Sequence, residues 1–120
     1  MKIYSMAFLV LILFFGANTL FAQEIQMGKY SINNTTPNYT LDKSSGDRSM
    51  TIDVNFVKGF DKKPTVMLSV TNLDAGINSN IRYSVDAISV SRDGFTIKIS
   101  TWSDSIINGI SGHWVAISEK

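Results

Sequence analysis

The chain has 120 residues, no cysteine and a formal net charge of +1. Without its first 22 residues it loses Lys2 and no acidic side chain, so ten basic residues then balance ten acidic ones. This balance argues against a protein that follows nucleic-acid phosphates, because that activity needs a clustered excess of Lys and Arg. The remaining length makes one small domain, which without disulfides must gain stability from sheet packing or from association with other chains.

The N-terminal 22 residues are typical of a secretory signal peptide. Lys2 precedes an apolar run at residues 7–15, and Ala22 offers a small residue at the cleavage position. The run is shorter than the roughly 20 apolar residues that a membrane-spanning helix needs. We therefore predict a signal peptide at residues 1–22 and a secreted mature chain at residues 23–120 that does not insert into a membrane. An uncleaved N-terminal anchor is the alternative.

The mature chain alternates between apolar and polar side chains with a period of two, which is typical of β-strands with one buried face. Residues 32–48 and 72–80 are rich in Asn, Gly, Ser and Asp, a composition that favours loops. No helical periodicity follows the signal peptide. We therefore predict an all-β fold, a six-stranded antiparallel β-sandwich. The predicted strands cover residues 25–31, 50–57, 65–71, 81–90 and 95–100, and a closing strand passes through Trp114 with its indole inward.

One hairpin is predicted in more detail. Asp93 and Gly94 lie between two strand patterns and indicate a tight turn, since Gly accepts a positive φ without a Cβ penalty. Before the turn, Ile88 and Val90 fall out of the alternation of the preceding residues. A β-bulge near Ala87 would restore the phase.

Several short segments, in their order and spacing, resemble the H-type lectin domain, the module of snail agglutinins and of the C-terminal part of discoidins. The resemblance covers about residues 25–118. It implies a β-sandwich without enzymatic activity or cofactor, which binds terminal galactose or N-acetylgalactosamine as a homotrimer, sometimes doubled into a hexamer. Because this chain has no cysteine, any such assembly is non-covalent. The matching segments are residues 51–56, 63–66, 68–70, 73–74, 80–82, 94–95, 101–102 and 114–116.

Arg82 and Trp102 are the main candidates for sugar contact. A guanidinium can bind two neighbouring hydroxyls at once, and Arg82 matches the family's sugar-contacting arginine. The alternative for Arg82 is an exposed strand residue that pairs with Asp86. Trp102 has only polar neighbours, which suits stacking on a sugar ring, although a tryptophan covering the end of the core is the alternative. The resemblance adds Ser103, which follows Trp102 and stands where snail members carry histidine.

The family also places an aspartate in a short loop before the second strand. An ungapped alignment puts Ser45 at this position, and a shift of two residues puts Asp47 there. Both are retained as candidates for carbohydrate binding. A further departure is Asn108, which stands where the family usually has an aromatic residue.

No catalytic or metal-binding site is predicted. His113 is the only histidine, no Gly-x-Ser-x-Gly segment occurs, and the acidic residues show no metal-ligand spacing. The sequence thus favours a secreted, multivalent lectin with sugar sites at subunit boundaries. The alternative is a secreted assembly domain of the same fold that has lost sugar binding. Candidates for subunit contact are Met67, Ser69, Thr71, Ile106, Ile107 and Ile110.

Overall fold

The computed structural model describes residues 23–119, which form seven antiparallel β-strands and contain no helix that could cross a membrane. The predicted signal peptide lies outside the described residues. The all-β class is confirmed, whereas the predicted count of six strands is one too low. The strands are β1 (Gln23–Asn33), β2 (Arg48–Asn55), β3 (Thr65–Leu68), β4 (Asn72–Ala75), β5 (Tyr83–Ile88), β6 (Gly94–Thr101) and β7 (Ile107–Glu119).

Two sheets are built around the two long strands β6 and β7. In the four-stranded sheet, β1 pairs with the whole length of β7, and β3 and β4 follow each other along the opposite edge of β7. In the three-stranded sheet, β6 lies between β2 and β5. The sheets pack face to face, since Phe95 of β6 and Trp114 of β7 approach with ring centroids 5.4 Å apart.

The core lies between the inward faces of the sheets. Ile97 and Ile99 of β6 are fully buried, and Trp114 is 8% exposed, which confirms its inward orientation. Two candidates for subunit contact, Ile107 and Ile110, are also buried here at 0% and 2% exposure. They are unavailable to another chain, so that part of the prediction is wrong. Small domains fill their core with the few apolar residues they have, and β7 supplies these two.

The missed strand is β4, which lies within the predicted loop at residues 72–80. Its polar residues Asn72 and Asp74 are exposed, and only Leu73 and Ala75 face inward. The segment is a strand because it pairs with the free edge of β7, from Asn72 opposite Ser111 to Ala75 opposite Ile107. The register shifts between Asp74 and Ala75. Tertiary pairing therefore overrides a composition that favours loops.

The predicted bulge near Ala87 is absent, because β5 pairs with β6 in one continuous register. Ile88 instead faces outward at 38% exposure, and Ser89 adopts a φ of +53° that lets Val90 pack against the core. Gly94 does not have the expected positive φ. It is required for a different reason, since a Cβ at this position would collide with the carbonyl oxygen of Val54.

Three loops meet at one end of the sandwich. β6 ends at this end of the sandwich. β2 and β5 begin there, because each of them pairs antiparallel with β6. The segments at residues 34–47, 76–82 and 102–106 therefore converge. This loop end contains every residue for which the sequence predicts carbohydrate contact.

Candidate functional site

Trp102 stands at the centre of the loop end because of the register of the three-stranded sheet. Thr101, the last residue of β6, pairs with Arg48 of β2 on one side and Tyr83 of β5 on the other. Asp47 precedes Arg48, and the Arg82 carbonyl accepts a hydrogen bond from Thr101 itself. The backbone of three predicted site residues, distant in sequence, is thus brought to one end of this sheet.

A groove of about 360 Å³ opens beside the indole, which is 39% exposed. It is called the Trp102 groove below. Its volume is at the lower end of the range for small-molecule sites. The groove is open to the surface, so a bound ligand would stay partly in contact with water. The lining residues are Asp47, Arg48, Ser49, Lys98, Ser100, Thr101 and Trp102; the predicted contact Arg82 is not among them.

Arg82 forms an ion pair with Asp104, with 3.1 Å between Nη1 and Oδ1. The sequence alternative, a pair with Asp86, is therefore wrong. Both side chains are about half exposed, so water screens the pair and it contributes little to stability, about 0–1 kcal/mol. The guanidinium keeps further donors for a ligand, because its five N–H groups exceed what one carboxylate binds.

Ser105 fixes the backbone beside Arg82. It is fully buried, and its Oγ accepts a hydrogen bond of 2.8 Å from the Arg82 N–H and donates to the carbonyl of Asn80. Thr101 adds a third tie, since its Oγ1 donates to the Arg82 carbonyl at 2.6 Å. The segment at 76–82 is therefore fastened to the segment at 102–106 directly at the candidate site.

Arg48 is the functional residue that sequence reasoning missed. It is 9% exposed, and its guanidinium donates only to backbone carbonyls of the two neighbouring loops. The bonds to Gly46, Ser103 and Ser105 measure 2.8, 2.8 and 2.7 Å, and a further one reaches Lys43. A planar fork suits this task, because one side chain satisfies four acceptors.

A signal for Arg48 was present in the sequence. The predicted inward face of β2 contains Ile52, Val54 and Phe56, and the same period of two extended backwards reaches Met50 and Arg48. A charged residue in phase with a buried face needs partners inside the protein. Those partners are loop carbonyls, which no sequence pattern identifies.

The remaining candidates take different places. Ser103 has a φ of +61°, a conformation that is costly for a residue other than glycine and that turns the chain directly after Trp102. Asp47 lines the Trp102 groove, whereas Ser45 is exposed and is not among the lining residues. Asn108 lines another depression, on the four-stranded sheet with Asn33 and Asp74.

Tyr39 anchors the long loop before β2. Its hydroxyl donates to the carbonyl of Ile107 at 2.6 Å. Burial, followed by the nearby carboxylates of Asp42 and Asp74, raises the pKa of Tyr39 to about 12. The hydroxyl therefore stays protonated and remains a donor throughout the physiological range.

Residues 23–119 contain no candidate metal-ion site, because no three His, Asp or Glu side chains there lie close enough to hold an ion. His113 is exposed and pairs with Lys29 across β1 and β7, on a sheet that does not contribute to the Trp102 groove. The groove contains one carboxylate and two cations, together with hydroxyls and one indole. Such a set can bind polar ligands by hydrogen bonds and stacking.

Comparison with known proteins agrees with this geometry. A model of the H-type lectin domain matches residues 51–117, more than half of the chain. The chain belongs to the H-type lectin domain family. Membership supports carbohydrate binding as the general function of this H-type lectin domain, and it accords with the expectation that the protein is not an enzyme. The matched residues include Arg82, Trp102 and Ser103 but begin after Ser45 and Asp47.

Two solved structures have a similar fold. Discoidin II of Dictyostelium discoideum superposes with a TM-score of 0.73 at 21% identity, over 83% of this chain and 38% of that one. The tailspike gp61 of Pseudomonas phage phi297 gives a TM-score of 0.55 at 17% identity, over 81% of this chain and 16% of the tailspike. At such identities the likeness establishes the fold of this H-type lectin domain.

A sequence relative comes from Fuscovulum blasticum, a protein named ATP synthase subunits region ORF 7. It is 30% identical over 73 residues, which are 61% of this H-type lectin domain chain and 64% of that protein. The match thus spans less than two thirds of the relative.

Proposed function

We propose that this protein is a secreted lectin that binds glycans ending in galactose or N-acetylgalactosamine. The observation that carries the proposal is the half-exposed indole of Trp102, which shares a groove with Asp47 and directly follows Thr101, the residue that bonds the Arg82 carbonyl. Aromatic, guanidinium and carboxylate groups are the three types that recognise a sugar's apolar face and its hydroxyls.

Each group has a separate role in the proposed complex. The indole of Trp102 stacks on the C–H face of the terminal pyranose. Arg82 donates to two neighbouring hydroxyls, and its exposed pairing with Asp104 leaves donors for this purpose. Asp47 accepts a hydrogen bond from another hydroxyl. It suits this role better than Ser45, because Asp47 lines the groove and Ser45 does not.

We also propose that the lectin is a homotrimer, or a hexamer of two trimers, with the sugar sites near subunit boundaries. The outer face of the four-stranded sheet carries apolar side chains that a single chain leaves in contact with water. Met27, Val115 and Met67 are aligned across β1, β7 and β3, and Met27 and Met67 are 70% and 53% exposed. Ile25, at 53% exposure, and Ile117 continue the patch. Exposed patches of this kind mark interaction surfaces.

Multivalency compensates for the shallowness of a single site. A groove this open leaves much of a ligand in water, so the affinity of one site is expected to be low. Several sites on one rigid body raise avidity by about 10²–10⁴ without new contacts. Secretion, which the predicted signal peptide at residues 1–22 supports, would give such an assembly access to extracellular glycans.

A second candidate function is a secreted assembly domain that has lost sugar binding. Two observations favour it: Ser103 stands where snail members carry histidine, and the charge of Arg82 is already paired with Asp104. The oligomer proposed above is common to both functions, so only ligand binding separates them.

The deciding experiment is calorimetry of the purified protein with galactose, N-acetylgalactosamine and glucose, supported by a glycan array. The lectin proposal expects saturable binding of the first two sugars, little binding of glucose, and loss of binding in Trp102→Ala. No binding to any galactose- or N-acetylgalactosamine-terminated glycan on the array, by a folded protein, would establish the assembly domain instead.

A further inference from the structure

The Trp102 groove extends beyond the sugar site along the outer face of the three-stranded sheet. Trp102, Ser100 and Lys98 alternate on this face of β6, while Thr101 and Ile99 point into the core. Strand geometry places Lys98 about 14 Å from Trp102. One pyranose ring is shorter than this distance, so a ligand that touches both residues has at least two sugar units.

The floor of the groove arises from the cross-strand pairing. Ser49 of β2 lies directly opposite Ser100 of β6, and both are small side chains between the larger Trp102 and Lys98. Both line the groove, Ser49 exposed and Ser100 partly buried, so their hydroxyls can bond those of a ligand.

Lys98 closes the far end of the groove with an ammonium group. It is exposed, and the ion pair found among residues 23–119 is that of Arg82 with Asp104, so Lys98 has no salt-bridge partner there. Asp86 on β5 lies directly opposite Lys98 on the same face, and Asp53 on β2 is diagonal to it, but neither carboxylate is within ion-pair distance of Lys98 and neither lines the groove. An anionic group in the groove thus reaches the ammonium without displacing an existing ion pair.

At the opposite end of the groove the charge that a ligand can reach is a carboxylate. Asp47 and Arg48 both line the groove beside Trp102, but the Arg48 guanidinium already donates to four backbone carbonyls, so an anion on the terminal sugar would meet the carboxylate of Asp47. A neutral terminal sugar with a negative charge on the next unit fits both ends. The charge order along the groove therefore sets the direction of the ligand.

We propose that the natural ligand is an acidic oligosaccharide, with a neutral terminal sugar on Trp102 and a carboxylate or sulfate on the following unit bound by Lys98. This proposal rests on the proposed function, since it uses the same Trp102 site. It adds a ligand class, and it makes Lys98 the residue that distinguishes acidic from neutral glycans.

The test compares three galactose-terminated disaccharides by calorimetry with the purified protein. They are N-acetyllactosamine, the same disaccharide sulfated on its N-acetylglucosamine unit, and galactose linked to glucuronic acid. At low salt we expect about a twofold to fivefold preference for one or both acidic probes, the size of a single exposed charge contact. The two acidic arms identify sulfate or carboxylate as the preferred group. The preference should disappear between about 0.1 M and about 1 M salt, since the screening length falls from about 10 Å to about 3 Å.

Lys98→Gln should bring the ratio of acidic to neutral affinities close to one. Lys63→Gln is the matched control, because Lys63 is exposed on the turn before β3, outside the Trp102 groove, and the variant should keep the ratio. Equal binding of all three probes, or a preference that survives in Lys98→Gln, overturns the acidic ligand while leaving the lectin proposal intact. If none of the three probes binds, the acidic-ligand proposal fails, and the lectin proposal fails with it if no N-acetylgalactosamine-terminated glycan binds either.

Discussion

Arg48 donates a hydrogen bond of 2.8 Å from Nη2 to the carbonyl oxygen of Ser103, whose φ is +61°. The buried guanidinium thus holds Ser103 in place. The unfavourable backbone conformation of this residue makes the turn after Trp102. The guanidinium also bonds the carbonyls of Gly46 and Ser105, one in each loop beside the groove. Arg48 lines the Trp102 groove, but its guanidinium donors are taken up by these carbonyls, so it acts on the site through the backbone.

Replacing this guanidinium should destabilise the fold. Arg48→Met leaves buried carbonyls without donors, and each such acceptor costs about 1–3 kcal/mol, so we expect the free energy of unfolding to fall by about 3 kcal/mol. Arg48→Lys should recover part of the loss, since an ammonium has three donors but no planar fork. Urea unfolding followed by tryptophan fluorescence measures the effect. Arg92→Met, at an exposed turn, is the control, and equal midpoints for both Met variants would contradict the role of Arg48.

The sugar site should depend on Arg82 and Trp102 but not on His113. Removing a bidentate donor or the stacked ring costs about 1.5–3 kcal/mol, which is tenfold or more in affinity. We expect Arg82→Ala and Trp102→Ala each to weaken galactose binding by about that factor in calorimetry. Both residues are partly exposed, so their thermal midpoints should stay near that of the unsubstituted protein. His113→Ala serves as the control, and normal binding by Arg82→Ala or Trp102→Ala would show that the family role does not apply at that position.

Assembly should depend on the apolar face of the four-stranded sheet. Met67→Asp places a charge in the proposed subunit contact, where burial without a partner is costly, and should convert the trimer to monomers. Light scattering at micromolar concentration measures the mass. Ile88→Asp is the matched control, an exposed apolar residue on the other sheet, and should remain trimeric. A monomer mass for the unsubstituted protein, with sugar binding intact, would refute both the trimer and the boundary site.

Stability should decline in alkaline solution through Tyr39. Its pKa is about 12 in the folded protein against an ordinary 10.0, so below pH 10 both states are protonated and the contribution is fully present. Between these values the unfolded chain loses its proton first, and the free energy of unfolding falls with rising pH, by less than about 1.4 kcal/mol per unit for this half-buried group. Urea midpoints at about pH 9 and about pH 11 should differ more for the unsubstituted protein than for Tyr39→Phe. Equal declines would exclude Tyr39 as the responsible group, since Tyr30, whose pKa burial also raises, is common to both.

Processing should remove residues 1–22. The short apolar run after Lys2 predicts cleavage after Ala22, so intact-mass measurement of exported protein should give a chain that begins at Gln23. A mass that retains Met1 would indicate an uncleaved N-terminal anchor.

The sequence by itself determined the class of fold and the identity of the family. Alternation with a period of two fixes which side chains of a strand face the core, and this local rule is sufficient for β2, β6 and the inward Trp114. Family segments spread along the chain then indicated Arg82 and Trp102 as sugar contacts. Polar neighbours of Trp102 were enough to predict that its indole reaches solvent.

Only the tertiary structure decided which distant residues meet. The pairing of β6 with both β2 and β5 is a long-range choice, and it brings Asp47 into the groove of Trp102 and the backbone of Arg82 to Thr101. Likewise, β4 is a strand because β7 offers it a free edge, and Ile107 and Ile110 are buried because the facing sheet covers them. Arg48 shows the physical reason most directly. Its charge is tolerated inside the protein because carbonyls from two loops converge on it, and backbone carbonyls carry no signature in the order of side chains.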